Sequence, residues 1–373
     1  MKILDVLFDK IQRLSYSESS LQNVDDAIKR AKPTIVLLGK TGVGKSSLVA
    51  ALTGDKEVEV GLGYKPCTNT LMEYPFPQDT PVMSFLDTRG LGEAGYKEDE
   101  LSGDLERMVH QAHVLVVVIK SDDPDVQDVL AALKALKTKK GTLRKHPILL
   151  IHSFHDAGNA ELVAQQQVHH AEVQRLWPKK VESFALELSE TDAGDVTQLD
   201  AFREALFNLL PQLAVLLANE SLNTEETQFF NAAVRSKVLA YASSAATIDL
   251  FPVAGLVGVP SIHAALLVEL ARQFDVAWSR ALLKEFLAAL GAGFALHYSL
   301  KLGVRQLVKL IPYYGQTIGA LSASTISFGT TYGLGRAAAQ FLYMKKHKID
   351  FNDAEIKAAF KHHFGQAVNK DAP

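Results

Sequence analysis

The sequence predicts an α/β unit with a mostly parallel sheet covered by helices on both faces, followed by an all-α helical bundle. Three observations carry this. From about residue 33 to 218, short apolar runs rich in β-branched residues alternate with helical patterns. A glycine-rich loop, Gly39-Lys40-Thr41-Gly42-Val43-Gly44-Lys45-Ser46, stands between the first such run and the first such helix. Beyond about residue 220 the chain is rich in Ala, Leu and Gly and loses all strand alternation. A chain of 373 residues has room for two domains, each with its own core. Hydrophobic content of 47% and charged content of 22% are ordinary for a folded globular protein. A net charge of -3 offers no overall basic field, so no nucleic-acid partner is predicted. The single cysteine, Cys67, rules out a disulfide framework and fits a reducing, cytoplasmic compartment.

Residues 1–32 read as a helical N-terminal extension, with Leu4, Leu7, Phe8, Ile11 and Leu14 at helical spacing. Acids among its apolar residues distinguish it from a secretory signal. It is expected to pack on one of the two domains; a partner-binding or membrane-surface role is the alternative. The α/β domain is placed at 33–220, with strands at 34–38, 70–75, 82–87, 114–119, 147–152 and 182–188. Helices are expected at 46–53, 98–111, 125–138, 159–176 and 198–218. The helical C-terminal domain is placed at 221–373. It opens where Asn223-Thr224-Glu225-Glu226 reads as a helix cap with a glutamate three residues on.

The loop at 39–46 matches the phosphate-binding pattern G-x-x-x-x-G-K-[ST], and its context suits the chemistry. Thr34-Ile35-Val36-Leu37-Leu38 leads in as a buried strand. Ser47-Leu48-Val49-Ala50-Ala51-Leu52-Thr53-Gly54 leads out as a helix stopped by glycine. Backbone N–H groups of Gly39, Thr41, Gly42, Val43, Gly44 and Ser47 can then curl around phosphate oxygens at a helix N-terminus. Lys45 supplies a point charge to the β- and γ-phosphates, and Ser46 a hydroxyl to Mg²⁺.

Asp87-Thr88-Arg89-Gly90 follows the strand Val82-Met83-Ser84-Phe85-Leu86 and forms a D-x-x-G element. Asp87 is expected to hold Mg²⁺, directly or through water, and the Gly90 N–H to meet the γ-phosphate. Between loop and element lies Tyr64-Lys65-Pro66-Cys67-Thr68-Asn69-Thr70. Thr68 is assigned there as the switch threonine that joins Mg²⁺ only when the γ-phosphate is present, with Thr70 as the alternative. For the base, the strand Pro147-Ile148-Leu149-Leu150-Ile151-His152 leads to Ser153-Phe154-His155-Asp156. This is a degenerate [NT]-K-x-D element. Asp156 stands where a carboxylate accepts from guanine N1–H and the 2-amino group. Phe154 replaces the lysine and offers a ring to the base face, and Ser153 replaces Asn or Thr. A solvent-exposed helix cap is the other reading of Asp156. Ser189, after the last strand, can offer a backbone N–H to the guanine oxygen.

These motifs resemble the Era-like GTPases of the translation-factor-related class over roughly residues 33–218. The C-terminal part resembles domain-of-unknown-function family 697, the YcjF-like family. The carrying segments are Ile248-Asp249-Leu250-Phe251-Pro252-Val253-Ala254-Gly255, Ile311-Pro312-Tyr313-Tyr314-Gly315-Gln316-Thr317-Ile318-Gly319 and Thr331-Tyr332-Gly333-Leu334-Gly335. The resemblance implies GTP binding with Mg²⁺, GDP as product, and membrane association as a further expectation. It names no cellular role and no effector protein.

One departure bears on rate. Leu91 stands where many GTPases place a glutamine that orients the attacking water, and leucine has no hydrogen-bonding group. Hydrolysis is therefore expected to be slow unless another group helps. Arg89, Glu93, Lys40 or Thr41 can act in cis, or a partner in trans; a homodimer across the nucleotide face is one such arrangement. Gly90, Gly92 and Gly95 should leave this segment mobile without nucleotide.

In the C-terminal part, the stretches 250–268, 286–300 and 310–335 lack Lys, Arg, Asp and Glu. The last is long enough to cross a bilayer but holds Pro312 and five glycines, so a bundle of buried helices is favoured over an integral membrane domain. Gly315-xxx-Gly319 and Gly329-xxx-Gly333 offer small faces for close helix contact. The third alternative is a bundle that releases a hydrophobic hairpin onto a bilayer when GTP binds, with Lys345-Lys346-His347-Lys348 meeting headgroups. The pairs His169-His170 and His362-His363 lack convincing ligand spacing and read as surface residues, so no zinc is expected. The sum is a GTP-hydrolysing switch coupled to its helical domain. The alternatives are a nucleotide-dependent scaffold with negligible hydrolysis, or an ATPase.

Overall fold

The computed structural model describes residues 2–30, 32–53, 65–66, 71–78, 81–88, 112–138, 146–156, 158–187, 196–210, 213, 215, 224–250, 258–291, 323–350 and 352–368. The chain divides into two compact units. Pro33–Leu206 form one; Met1–Lys32 and Phe207–Pro373 together form the other.

The first unit is a seven-stranded sheet flanked by helices. Its strands are β1 (Thr34–Leu38), β2 (Lys65–Pro66), β3 (Leu71–Phe76), β4 (Met83–Thr88), β5 (Val114–Lys120), β6 (Ile148–Ser153) and β7 (Glu182–Leu186), in the order β2-β3-β4-β1-β5-β6-β7. β4, β1, β5, β6 and β7 run parallel, while β2–β3 and β3–β4 are antiparallel. The parallel strands TIVLL, VLVVVIK and ILLIHS are near-continuous apolar runs because both their faces are covered. α4 (Gln127–Thr138) and α5 (Ala160–Leu176) cover one face. There Val36, Leu38, Val117, Ile119 and Leu150 meet Val129, Leu133, Leu136 and Val173. Trp177 closes this core and donates Nε1–H to the His146 carbonyl at 3.0 Å. α3 is Lys45–Thr53 and α6 is Val196–Leu209; Phe202 of α6 packs edge-on against Phe184 of β7. β1 sits between β4 and β5, and because β4, β1, β5, β6 and β7 are parallel their carboxyl ends share one edge. The two-residue β2 was not expected from sequence, and β7 stops two residues before the expected strand end. The helix expected at 98–111 lies outside the described residues.

The helical unit contains α1 (Lys2–Tyr16), α2 (Glu18–Arg30), α7 (Thr224–Phe229), α8 (Ala232–Leu250), α9 (Val259–Phe274), α10 (Arg280–Ala289), α11 (Ala323–His347) and α12 (Asp353–Val368). The N-terminal segment is two helices, because the Ser17 hydroxyl accepts from the Ser20 N–H at 3.2 Å and starts a new one. Leu7, Ile11, Leu14, Leu21 and Val24 are buried. Lys10 donates to Ser261 at 2.7 Å and Tyr241 to Asp25 at 3.1 Å, which ties α1 to α9 and α2 to α8.

α11 is the centre of this bundle, and its glycines explain how closely its neighbours approach. A Cβ at Gly329 would stand 2.6 Å from Val368 Cγ1, and one at Gly333 2.9 Å from the Phe360 carbonyl oxygen. The Gly329-xxx-Gly333 face therefore receives α12, as its small surface predicts. Gly315-xxx-Gly319 lies outside the described residues. No helix among the described residues is long and apolar enough to cross a membrane. One turn past Tyr332, Arg336 of α11 is 1% exposed. It donates to Glu226 at 2.6 Å and to His363 Nε2 at 3.1 Å, with its guanidinium 3.7 Å from the Phe230 ring centroid.

The histidine pairs correct the expectation that they are surface residues. His169 is 1% and His363 5% exposed. Adjacent helical residues point about 100° apart, so one of each pair turns to the core while its neighbour does not. Burial holds these imidazoles neutral. It lowers His146 and His263 to about 4 and His152 and His363 to about 3, and lowers His169 as well. The Arg336 charge adds to the effect at His363. The unfolded chain takes up these protons near pH 6.5 and the folded chain refuses them. Stability is therefore level above about pH 7.5 and falls as pH drops below about 6.5, by roughly 1.4 kcal/mol per pH unit for each such histidine. Urea denaturation at pH 7.5, 6.5 and 5.5 should show this decline; equal stability at all three would contradict it.

Candidate nucleotide site

The phosphate loop begins where β1 ends. Gly39 is required by packing, since a Cβ there would stand 2.4 Å from the Val118 carbonyl oxygen of β5. Gly42 and Gly44 adopt φ of 76° and 91°, a region glycine enters without the clash other residues meet. Val43 is buried and anchors the loop, while Thr41 and Gly42 are exposed at its tip. Ser46 and Ser47 lie in the first turn of α3, both half-buried.

Lys45 is buried, and its Nζ donates to the Gly39 carbonyl at 3.1 Å and the Lys40 carbonyl at 2.9 Å. It also lies 3.6 Å from Asp87 Oδ1. The β1–β4 register pairs Leu37 with Asp87, which sets the carboxylate beside the start of the loop. Ser46 Oγ lies 3.5 Å from the Tyr74 hydroxyl of β3. Lysine, serine hydroxyl and carboxylate thus gather on one strand edge, a donor set that suits a phosphate and a hard divalent cation. Lys40, a candidate for helping hydrolysis, instead binds the loop after β5. It pairs with Asp123 at 3.0 Å and donates to the Asp125 carbonyl. That tether was not foreseen, because it depends on which loops the sheet order brings together.

At the other end, Ser153 is fully buried. Its hydroxyl faces the Ile119 carbonyl at 3.5 Å, and its carbonyl accepts from the Ser121 N–H at 2.9 Å and the Ser121 hydroxyl at 2.7 Å. Phe154 has φ of 54° and is 47% exposed. Asp156 is exposed, and its Oδ1 accepts from the Gly158 N–H at 2.9 Å. The helix-cap reading of Asp156 is corrected: the cap of α5 is Asn159, whose side chain accepts from the N–H groups of Glu161 and Leu162. Asp156 is held in the turn before it. Under this turn lie His152 and His169, with rings stacked at 5.8 Å. Gln166 bridges His155 and Ser121 at 2.9 and 3.0 Å. Thr68, Thr70, Arg89, Gly90, Leu91, Glu93 and Ser189 lie outside the described residues.

Residues 34–153 match the protein-family model described as "50S ribosome-binding GTPase". This stretch has the fold of a P-loop GTPase domain. Two curated proteins of Escherichia coli (strain K12) resemble it. "Uncharacterized protein YfjP" is 30% identical over 107 residues, and "Uncharacterized protein YkfA" is 30% identical over 108. Each match covers 29% of this chain and 37% of the relative, so the chain spans little more than a third of the length of the curated proteins it matches. Among solved structures, Toc33 from Arabidopsis thaliana in complex with GDP and Mg²⁺ is 17% identical, with a TM-score of 0.31 over 48% of this chain and 82% of that one. The complex of SsGBP with GDP is 19% identical, with a TM-score of 0.33 over 48% of this chain and 50% of that one. Within the GTPase domain, the matched stretch takes in the phosphate loop, Asp87 and the strand that ends at Ser153.

Proposed function

We propose that this chain is a guanine-nucleotide switch that hydrolyses GTP to GDP and phosphate and passes its nucleotide state to the helical unit. The observation that carries this reading is the gathering of Lys45, Ser46 and Asp87 at one strand edge, with Asp156 exposed in the turn after β6 on the same edge. Lys45 would leave its carbonyl partners for the β- and γ-phosphates. Mg²⁺ would be held by the Ser46 hydroxyl and the Asp87 carboxylate, with Thr68 joining in the GTP state. Held by these residues, Mg²⁺ would supply positive charge against the phosphate oxygens. Asp156 accepts from guanine N1–H and the 2-amino group together, and Ser189 meets the guanine oxygen. Gly90 and Arg89 act on the γ-phosphate side. With Leu91 in the water-orienting position, turnover is slow until an added group raises it, and a second copy docked across the nucleotide face is the arrangement we favour. The Era-like assignment, the likeness of the helical part to family 697, a cytoplasmic location and a peripheral membrane contact belong to the same proposal.

Titration calorimetry with GDP, a GTP analogue, ADP and an ATP analogue in Mg²⁺ tests it. Guanine-only binding is expected, weakened at least tenfold by Asp156→Ala, since a base-edge carboxylate left out is worth about 1.4 kcal/mol or more. Equal adenine binding would sink the guanine reading and leave an ATPase. The second reading, a nucleotide-dependent scaffold, rests on Leu91; turnover that stays negligible at every protein concentration would favour it.

A further inference from the structure

We propose that Lys120 and Phe154 together form the platform for the nucleobase, dividing between two strand ends the work that one lysine does in the usual [NT]-K-x-D element. The inference rests on the nucleotide-switch reading and names how the same site holds its base. Phe154 is a bulky residue in the left-handed region, at φ of 54°, a conformation such side chains rarely adopt. Its ring is 47% exposed, so core packing does not account for the strain. Strained backbone that presents an aromatic face to solvent, two residues before Asp156, fits a surface built for stacking.

Lys120 completes it. The β5–β6 register pairs Lys120 with Ser153, which places its side chain beside the next residue, Phe154. Its Nζ lies 4.9 Å from the Phe154 ring centroid, within cation–π reach, and 3.2 Å from Asp122 Oδ2. The ammonium covers one face of the ring and holds its orientation. The opposite face is left for a purine. Lys120 is thus a positioning residue and Phe154 the contact. A stacking platform is indifferent to the exocyclic groups that Asp156 reads, so the two parts of the site separate experimentally.

The experiment measures binding of GDP, IDP and ADP in Mg²⁺ to the full chain and to Phe154→Ala, Phe154→Tyr, Lys120→Ala and the Phe154→Ala/Lys120→Ala double variant. Circular dichroism confirms that each is folded. Phe154→Ala should weaken GDP and IDP by the same factor, about tenfold, while Phe154→Tyr keeps affinity within about twofold. Lys120→Ala should cost about threefold in the wild-type background and nothing further once Phe154 is alanine. Unchanged GDP affinity in Phe154→Ala, or an equal Lys120→Ala effect in both backgrounds, would overturn the platform. If the wild type binds ADP as well as GDP with the same Phe154 dependence, the platform stands and the guanine reading falls. If the wild type binds no nucleotide, both fall.

Discussion

Gly39→Ala is expected to abolish measurable nucleotide binding and to destabilise the GTPase domain by about 1–3 kcal/mol, the cost of forcing an added methyl into packed structure. The methyl would stand 2.4 Å from the Val118 carbonyl oxygen, a backbone atom in the middle of the sheet that has no rotamer to retreat into. The loop must therefore lift away from β5, and the carbonyls of Gly39 and Lys40 that hold Lys45 go with it. Gly42→Ala is the matching control. Open space surrounds Gly42, so an added methyl meets no atom and acts through the positive φ alone. It should weaken binding with a loss of about 1 kcal/mol in stability. Thermal denaturation paired with GDP titration distinguishes the two. A Gly39→Ala protein that binds and melts like the wild type would show that the loop is not braced on β5.

Arg336→Ala is expected to destabilise the helical unit severely and to lower its melting temperature by well over 2 °C, on the order of 10 °C. The guanidinium joins three helices: its own α11, α7 through Glu226, and α12 through His363. Removing it leaves a hole among Phe230, Tyr332 and His363 and strips the carboxylate of its cation. Breaking a buried pair in this way costs about 3–5 kcal/mol. Glu226 keeps 26% of its side chain in contact with solvent, which puts the cost toward the lower end. Even so, it is a large share of the roughly 5–15 kcal/mol net stability of an ordinary domain. Arg336→Lys should recover little, because an ammonium cannot reproduce the fork that spans two partners. Arg336→Met with Glu226→Gln should recover more, since it removes both charges and keeps the volume. Melting of the helical signal within about 2 °C of wild type in Arg336→Ala would refute the argument.

Much of the GTPase domain can be read from residues alone. β1, β5 and β6 are apolar runs that only a doubly covered sheet explains, and Gly39 to Ser46 carries its spacing on its face. What escaped reading depends on three-dimensional register. Lys40 as a tether and Lys120 as a partner of Phe154 follow from strand order, which brings β5 between β1 and β6. Asp156 and Asn159 are both plausible caps on paper; only the turn geometry shows that Asn159 takes the helix and Asp156 does not. Arg336 lies just past a long charge-free stretch and gives no local sign that it is interior. For His169 and His363, sequence shows a pair but not which member faces inward.

The tether between Lys40 and Asp123 reaches further than the loop it holds. The Asp123 carbonyl also accepts from His169 Nε2–H at 3.0 Å, and His169 stacks on His152, the residue before Ser153. The phosphate loop and the turn proposed to hold the base are thereby fastened to one frame before any ligand arrives. Much of the ordering entropy that a nucleotide would otherwise have to supply at those two ends is already spent in folding. The binding free energy of the whole nucleotide should then at least equal the sum of those measured with phosphate alone and with nucleoside alone, because the joined ligand loses its rigid-body freedom once and the frame has little left to order.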